Sequence, residues 1–172
     1  WRSAEIFSIF DFANTDEAEY KVLTQMWNKL EDLVSQAKSE NKTIGIFHYS
    51  HHEKTWWRRF AKRFINQPQV PTLDHVENFM NRYFVDLLEY SRRVSLPTTG
   101  YSIKLLAPHA HFNWSVDNAG GATSLLKYKE ATSTSTSDAK RQEAIDWLIS
   151  YNRDDVRATY AVREYLRKLK LP

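Results

Sequence analysis

The order of apolar segments at the start of the chain constrains its fold most, because strand-like and helix-like segments alternate there. Residues 5–12 and 43–49 are short and rich in β-branched and aromatic side chains, as strands are. Apolar residues recur at helical spacing after each of them, over residues 14–40 and 53–65. This alternation predicts an α/β fold. The nearly continuous apolar character of residues 43–49 also predicts a strand that is buried on both faces.

Most of the remaining chain has the patterns of helices. We expect them over residues 73–83, 86–94, 101–106, 124–129 and 138–169. The last of these helices is predicted to break near Tyr151. The predicted N-cap of the first helix is Asn14, because Glu17 follows it three residues later.

Two strands make too small a sheet to be stable alone, so the sequence predicts partner strands beyond those two. The chain begins at Trp1 without Met and enters an apolar segment almost at once. Either those strands precede Trp1, or the chain contains strands that its pattern does not show. We expect residues 1–172 to be a single domain of a longer protein, with N-terminal strands missing.

The composition excludes several classes of site. The 172 residues contain no cysteine, which excludes disulfides, cysteine zinc sites and thiol nucleophiles. No apolar run reaches membrane length and the first residues do not form a signal peptide, so we expect a cytoplasmic protein. The formal net charge is +3, from 24 Lys and Arg against 21 Asp and Glu, which permits an anionic partner without requiring one.

The most specific pattern lies in residues 151–159, YNRDDVRAT. Tyr151 and Asp155 are four residues apart, so they share one face of a helix. A metal-dependent phosphodiesterase needs a carboxylate to hold the ion and a group that orients the attacking water, and this pair could supply both. A structural explanation also fits, because Asp154 and Asp155 would stabilise the N-terminus of a helix through its dipole.

A second polar cluster, HYSHHE at residues 48–53, lies where a predicted strand gives way to a helix. Open α/β sheets usually bind ligands at such a place. Its three histidines and Glu53 could hold a transition metal, as in a histidine-based zinc hydrolase. The spacing differs from the HExxH motif, and His48 and His52 would align only in a helix. The structural alternative is a polar turn, with Glu53 favoured in the first helical turn.

Two single residues have both a functional and a structural interpretation. Asp86 precedes apolar residues at helical spacing, so it is either a helix cap or an acidic residue of an active site. Lys104 stands at the start of a short helix, where it could contact a phosphate. The structural alternative is that Lys104 is an ordinary solvated lysine.

The second predicted helix carries basic residues beside two tryptophans. The cations are Lys54, Arg58, Arg59, Lys62 and Arg63. Cations next to exposed aromatic rings suit single-stranded nucleic acid. We expect Trp57 to lie in the core and Trp56 to be exposed. In the structural alternative, the cations are a solvated face and the tryptophans belong to the core.

Taken together, these segments resemble the RNase H-like nucleases of the DEDD superfamily. They occur in the order HYSHHE, VDLL at residues 85–88, YSIK at residues 101–104, and YNRDDVRAT at residues 151–159. The resemblance extends over residues 6–166, and the last motif is its most specific part. It is greatest to the bacterial RecB-like or YprB-like nucleases, which in some bacteria are joined to a helicase.

The resemblance implies an RNase H-like fold and a 3′–5′ exonuclease that cleaves DNA or RNA with two Mg²⁺ or Mn²⁺ ions. In this superfamily, four acidic residues from three motifs hold the ions. Tyr151 and Asp155 match the third motif in its Tyr subtype, where the Tyr orients the attacking water and the Asp binds a metal. Glu53 matches the carboxylate of the second motif, with Glu in place of the usual Asp. Asp86 falls where the family has an acidic residue that opens a helix.

The first motif of the family, Asp-x-Glu on the first strand, has no match in residues 1–12. Glu5 and Asp11 have the wrong spacing for it. We expect the two missing ligands upstream of Trp1. Without that motif, the alternative is a non-catalytic module that binds nucleic acid or packs against a helicase.

Overall fold

The computed structural model describes residues 15–96 and 98–169, which divide into two compact units. The first unit is Thr15–Arg93, and the second comprises residues 94–169. The predicted strand over residues 5–12 and the predicted cap Asn14 lie outside the described residues. That residues 1–172 are a single domain stays a prediction.

The first unit contains α1 (Asp16–Ser39), β1 (Ile46–His48), α2 (His52–Arg63), α3 (Leu73–Tyr83), β2 (Phe84–Asp86) and α4 (Leu87–Ser91). The bounds of α1, α2 and α3 agree closely with the predicted helices. Thr15 is the N-cap of α1, since its side chain accepts a hydrogen bond from the backbone N–H of Ala18. Thr72 caps α3 in the same way by accepting from the N–H of His75.

The apolar stripes of α1, α2 and α3 build the core of the first unit. Trp27 of α1 is 1% exposed, and its ring lies 5.2 Å from the ring of Trp57 and 4.8 Å from that of Phe79. Tilted and edge-on aromatic pairs add to the free energy that burial contributes. The prediction that Trp57 is buried and Trp56 exposed is confirmed.

The sheet of the first unit has two parallel strands, β1 and β2, in which His48 pairs with Asp86. The sequence did not predict β2, because three residues between two helices are too few to show an alternating pattern. β1 is shorter than the predicted strand over residues 43–49. Ile46 and Phe47 are half-buried, so the prediction of a strand buried on both faces is wrong.

The chain passes directly from β2 into α4 at Asp86. The Asp86 carboxylate caps α4 by accepting a hydrogen bond from the N–H of Leu88, which confirms its predicted capping role. The helix predicted over residues 86–94 is shorter, and it ends at Ser91.

The second unit contains α5 (Ile103–Leu106), a 3-10 helix (Ala107–Ala110), α6 (Gly121–Thr132) and α7 (Asp138–Lys168). Helices α6 and α7 pack together through a small apolar cluster of Ala131, Ala144 and Leu148. The predicted break near Tyr151 is wrong, because α7 is continuous. Residues 138–168 contain neither Gly nor Pro, so the chain has no helix breaker there.

Within the two described stretches, no helix combines the length and the apolar character that crossing a bilayer requires.

Candidate functional site

At the carboxyl end of the small sheet, a strained turn joins β1 to α2. Ser50 has a φ of 73°, in the left-handed region that residues with side chains rarely adopt. Its N–H donates to Asp86 Oδ1 at 2.8 Å, and its carbonyl oxygen lies 2.6 Å from His48 Nδ1. The ends of both strands therefore hold this turn in place.

The turn presents Glu53 in the first turn of α2, as predicted. Its Oε2 atom lies 3.7 Å from His48 Nδ1. Partial burial raises the pKa of Glu53, a backbone hydrogen bond and the charges of His48 and His52 oppose the rise, and the charge of Asp86 makes the smallest contribution, in the raising direction. Glu53 and Asp86 therefore bring two carboxylates to the carboxyl ends of the parallel strands, where open α/β sheets bind ligands.

The histidines of residues 48–52 do not converge on one point. His48 is buried on β1, and its Nε2 atom has no hydrogen-bond partner among the described residues. His52 Nε2 accepts a hydrogen bond from Trp56 Nε1 at 3.0 Å. Within residues 15–96 and 98–169, no three His, Asp or Glu side chains are grouped so that they could hold a metal ion. The structure therefore gives no support to a histidine-based zinc hydrolase.

In the second unit, Tyr151 and Asp155 lie one turn apart on α7, and Asp155 has two polar neighbours from outside that helix. Lys104 Nζ lies 3.1 Å from Asp155 Oδ1, and Trp114 Nε1 donates to the same oxygen at 2.7 Å. The Lys104 ammonium also lies 3.4 Å from the ring centre of Trp114 and 4.6 Å from that of Tyr151. The Asp155 side chain is 38% exposed, so its carboxylate is accessible to solvent.

Tyr151 is held as a neutral phenol. Burial raises its pKa to about 12, and the charge of Asp155 and a hydrogen bond with Asp155 contribute in the same direction. The ring of Trp147 stacks on Tyr151 with 5.0 Å between centroids. Burial lowers the pKa of Lys104, whereas Asp155 opposes this change. Tyr151 is therefore a fixed hydrogen-bond donor at neutral pH.

The neighbouring Asp154 has a different environment. It is 3% exposed, and its Oδ2 atom accepts hydrogen bonds from the backbone N–H of Ser115 at 2.6 Å and from its hydroxyl at 2.7 Å. These bonds tie α7 to the loop before α6. The helix-dipole explanation for Asp154 and Asp155 is wrong, because α7 begins far upstream at Asp138.

Sequence reasoning missed Trp114 and Ser115 as neighbours of the two aspartates. Both lie in a loop, where side-chain direction does not follow from a period in the sequence. Their contacts with aspartates about 40 residues further along the chain depend on the fold, so the sequence alone does not reveal them. The only available signal was an aromatic and a hydroxyl residue together in a polar stretch.

The cations of α2 fall into two groups. Arg58 forms a two-pronged ion pair with Glu77 of α3, at 2.5 and 3.0 Å. Arg63 binds Asp16 and Glu19 of α1, each at 2.6 Å. These two arginines therefore connect α2 to its neighbouring helices, and their charges are balanced within the first unit.

The other predicted nucleic-acid contacts of α2 are more open. Trp56 is 42% exposed, and the Arg59 guanidinium carbon lies 5.1 Å from its ring centre. Lys62 is exposed and Lys54 is half-buried. The Arg58 hydrogen bond is the main cause that lowers the pKa of Glu77, and the charges of Lys54 and Lys62 add to it.

Comparison with protein families gives one match. The model of the RNase H superfamily, RNase_H_2, matches residues 3–167, which span both units and all the predicted site residues. No match was found among curated proteins or among solved structures. The helix-rich α/β architecture with a small parallel sheet is compatible with an RNase H-like fold. The chain therefore belongs to the RNase H superfamily.

Proposed function

We propose that this chain is a metal-dependent nuclease that hydrolyses phosphodiester bonds in DNA or RNA, as a 3′–5′ exonuclease of the Tyr-type DEDD group. Membership in the RNase H superfamily supports nucleic acid as the substrate. The observation that carries the proposal is the pair on α7, in which a protonated phenol, Tyr151, lies beside the accessible carboxylate of Asp155. The resemblance to RecB-like nucleases belongs to the same proposal.

The carboxylates of the chain have the chemistry that Mg²⁺ or Mn²⁺ requires, because these ions prefer oxygen ligands. The Asp155 carboxylate lies 3.1 Å from one cation of the chain, the Lys104 ammonium. In the first unit, Glu53 and Asp86 lie at the carboxyl ends of the two parallel strands. We therefore propose Glu53 and Asp155 as metal ligands. Bound ions would activate water and neutralise charge on the phosphate.

The side chains on α7 have separate tasks in this proposal. With a pKa of about 12, the Tyr151 hydroxyl stays protonated at neutral pH, so it orients the attacking water through a hydrogen bond and does not act as a base. The stacked ring of Trp147 limits its rotation. Lys104 contacts the Asp155 carboxylate and the rings of Trp114 and Tyr151, so it positions Tyr151 and Asp155. A contact between Lys104 and a substrate phosphate stays a prediction.

A non-catalytic module that binds nucleic acid is the second candidate. One observation favours it: residues 15–96 and 98–169 contain no group of three side chains that could hold a metal ion. Such a module would use the same basic and aromatic surfaces without cutting the strand. Association with a helicase stays a prediction from the resemblance.

Cleavage of 3′-labelled single-stranded DNA and RNA distinguishes the two candidates. We expect degradation in Mn²⁺ that EDTA abolishes. Glu53→Gln keeps the size of the side chain but removes its charge, so we expect cleavage to fall by about two orders of magnitude. The exposed Glu89 of α4 supplies the control, Glu89→Gln, which should cleave at the wild-type rate. Strand binding without cleavage in any metal would favour the non-catalytic module.

Tyr151→Phe gives a test that depends on pH. Because the folded pKa of about 12 exceeds the ordinary value of 10.0, the folded state favours the protonated phenol. The raised pKa of Tyr151 therefore contributes free energy of unfolding that is complete below pH 10. This contribution declines as the pH rises towards 12, because Tyr151 loses its proton at lower pH in the unfolded chain than in the folded one. Urea unfolding at rising pH should show a smaller loss of stability for Tyr151→Phe than for the wild type.

The same variant separates the two roles of Tyr151. If the hydroxyl orients water, Tyr151→Phe should also slow Mn²⁺-dependent cleavage near neutral pH, by about tenfold or more. Identical stability profiles for the two proteins above pH 10 would contradict the raised pKa. Full cleavage by Tyr151→Phe would remove the hydroxyl from the reaction.

A further inference from the structure

The outer face of α2 carries a shallow depression of about 440 Å³. It is lined by Trp56, Arg59, Lys62 and Arg63 of α2 and by Glu19 of α1. Sites for small molecules are concave and bury most of the ligand surface. An open depression along a helix instead suits one segment of a longer chain that passes across it.

Trp56 gives this depression a fixed aromatic surface. It is 42% exposed, whereas the adjacent Trp57 is 8% exposed and belongs to the core. The indole N–H of Trp56 donates to His52 Nε2 at 3.0 Å, and Arg59 packs on the ring at 5.1 Å. These contacts hold the ring in one orientation, which lowers the entropy cost of stacking a planar ligand on it.

The charges around Trp56 favour an anion. Arg63 is balanced by Asp16 and Glu19, each at 2.6 Å. Arg59 and Lys62, in contrast, have no carboxylate within ion-pair distance in the described part of the chain. An aromatic surface beside two cations that form no ion pair with a described carboxylate is the combination that binds bases and phosphates together.

Three of the residues that line the depression continue a three-residue spacing that starts at the candidate metal ligand Glu53. Glu53, Trp56, Arg59 and Lys62 are spaced three residues apart. At about 1.5 Å of rise per residue, Trp56 lies ~5 Å and Lys62 ~14 Å along the helix axis from Glu53. Of the residues that line the depression, Trp56 is therefore the nearest to Glu53 along the helix, about one turn away.

We propose that this depression is a subsite for single-stranded nucleic acid, in which a base stacks on Trp56 and the adjoining phosphates contact Arg59 and Lys62. This inference rests on the proposed function, because it assigns strand contacts to the same nuclease. Stacking requires a base whose face is exposed, so the subsite selects single strands over duplexes.

Binding of a fluorescently labelled oligothymidylate in EDTA tests the subsite without any cleavage. Trp56→Ala should weaken binding about tenfold, and Trp56→Phe should retain most of the affinity because it keeps an aromatic face. Tyr90→Ala is the matched control. Tyr90 lies in the same unit, is also 42% exposed, and has Arg93 packed on its ring at 5.1 Å. We expect wild-type affinity for this control.

Two further measurements separate stacking from charge. On an abasic strand, Trp56→Ala and the wild type should bind equally, because no base is present to stack. The double variant Arg59→Ala with Lys62→Ala should reduce the slope of log affinity against log salt by about two, whereas Arg58→Ala should leave that slope unchanged.

The outcomes are distinct from those of the cleavage assay. Three results would each overturn the subsite. Trp56→Ala and Tyr90→Ala could lose equal affinity, Trp56→Ala could bind the abasic strand more weakly than the wild type does, or the wild type could fail to bind the strand. Trp56-dependent binding without Mn²⁺-dependent cleavage would support the subsite and contradict the nuclease. Cleavage with unchanged affinity in Trp56→Ala would do the reverse.

Discussion

Asp155→Asn should lower Mn²⁺-dependent cleavage by at least about two orders of magnitude while leaving the chain folded. Asparagine keeps the shape of the side chain but removes the negative charge that attracts Lys104 and that we propose holds a metal ion. The side chains of Lys104 and Asp155 are 33% and 38% exposed, so losing their ion pair should cost at most about 1 kcal/mol of stability. Single-turnover cleavage and urea unfolding of the same preparation would measure both quantities.

Asp146→Asn supplies the matched control for this prediction. Asp146 is an exposed aspartate on the same helix, α7, and it accepts a hydrogen bond from Gln142. We expect Asp146→Asn to cleave at the wild-type rate. Wild-type cleavage by Asp155→Asn would contradict the assignment of Asp155 as a ligand, whatever its effect on stability.

The sequence was sufficient to predict those parts of the fold that depend on local patterns. The bounds of α3 were predicted closely, because Val76, Phe79 and Met80 recur at helical spacing and lie on one face. The pairing of Tyr151 with Asp155 was also predictable, since residues four apart on a helix are neighbours whatever surrounds the helix.

Features that depend on distant contacts were not predictable. Strand β2 forms by pairing with β1, and two helices, α2 and α3, separate the two strands in the sequence. The cations of α2 looked equivalent in the sequence, yet Arg58 is paired with Glu77 and Arg63 with Asp16. Such partners are set by how α1 and α3 pack on α2, and no local pattern specifies that packing.

The two adjacent aspartates of α7 show the same limit. Successive residues point about 100° apart around a helix, so Asp154 and Asp155 must meet different surroundings. The sequence does not indicate which of them is buried. The structure buries Asp154 against Ser115 and leaves Asp155 accessible beside Lys104.

Asp154→Ala should therefore destabilise the protein by about 3 kcal/mol, a far larger effect on stability than that of Asp155→Asn. The substitution removes the acceptor of two hydrogen bonds and leaves the N–H and the hydroxyl of Ser115 without that acceptor. Urea unfolding followed by far-ultraviolet circular dichroism would measure the loss. Asp154→Asn, which keeps an acceptor oxygen, should lose less stability than Asp154→Ala.

Ser115→Ala tests where this energy comes from. It deletes the hydroxyl but keeps the backbone N–H, so we expect a loss of about 1 kcal/mol. The double variant Asp154→Ala with Ser115→Ala should lose less stability than the sum of the two single losses. The Ser115 hydroxyl, which Asp154→Ala alone leaves unpaired, is absent from the double variant. If Asp154→Ala instead abolished cleavage in a protein as stable as the wild type, Asp154 would be the functional aspartate and Asp155 the structural one.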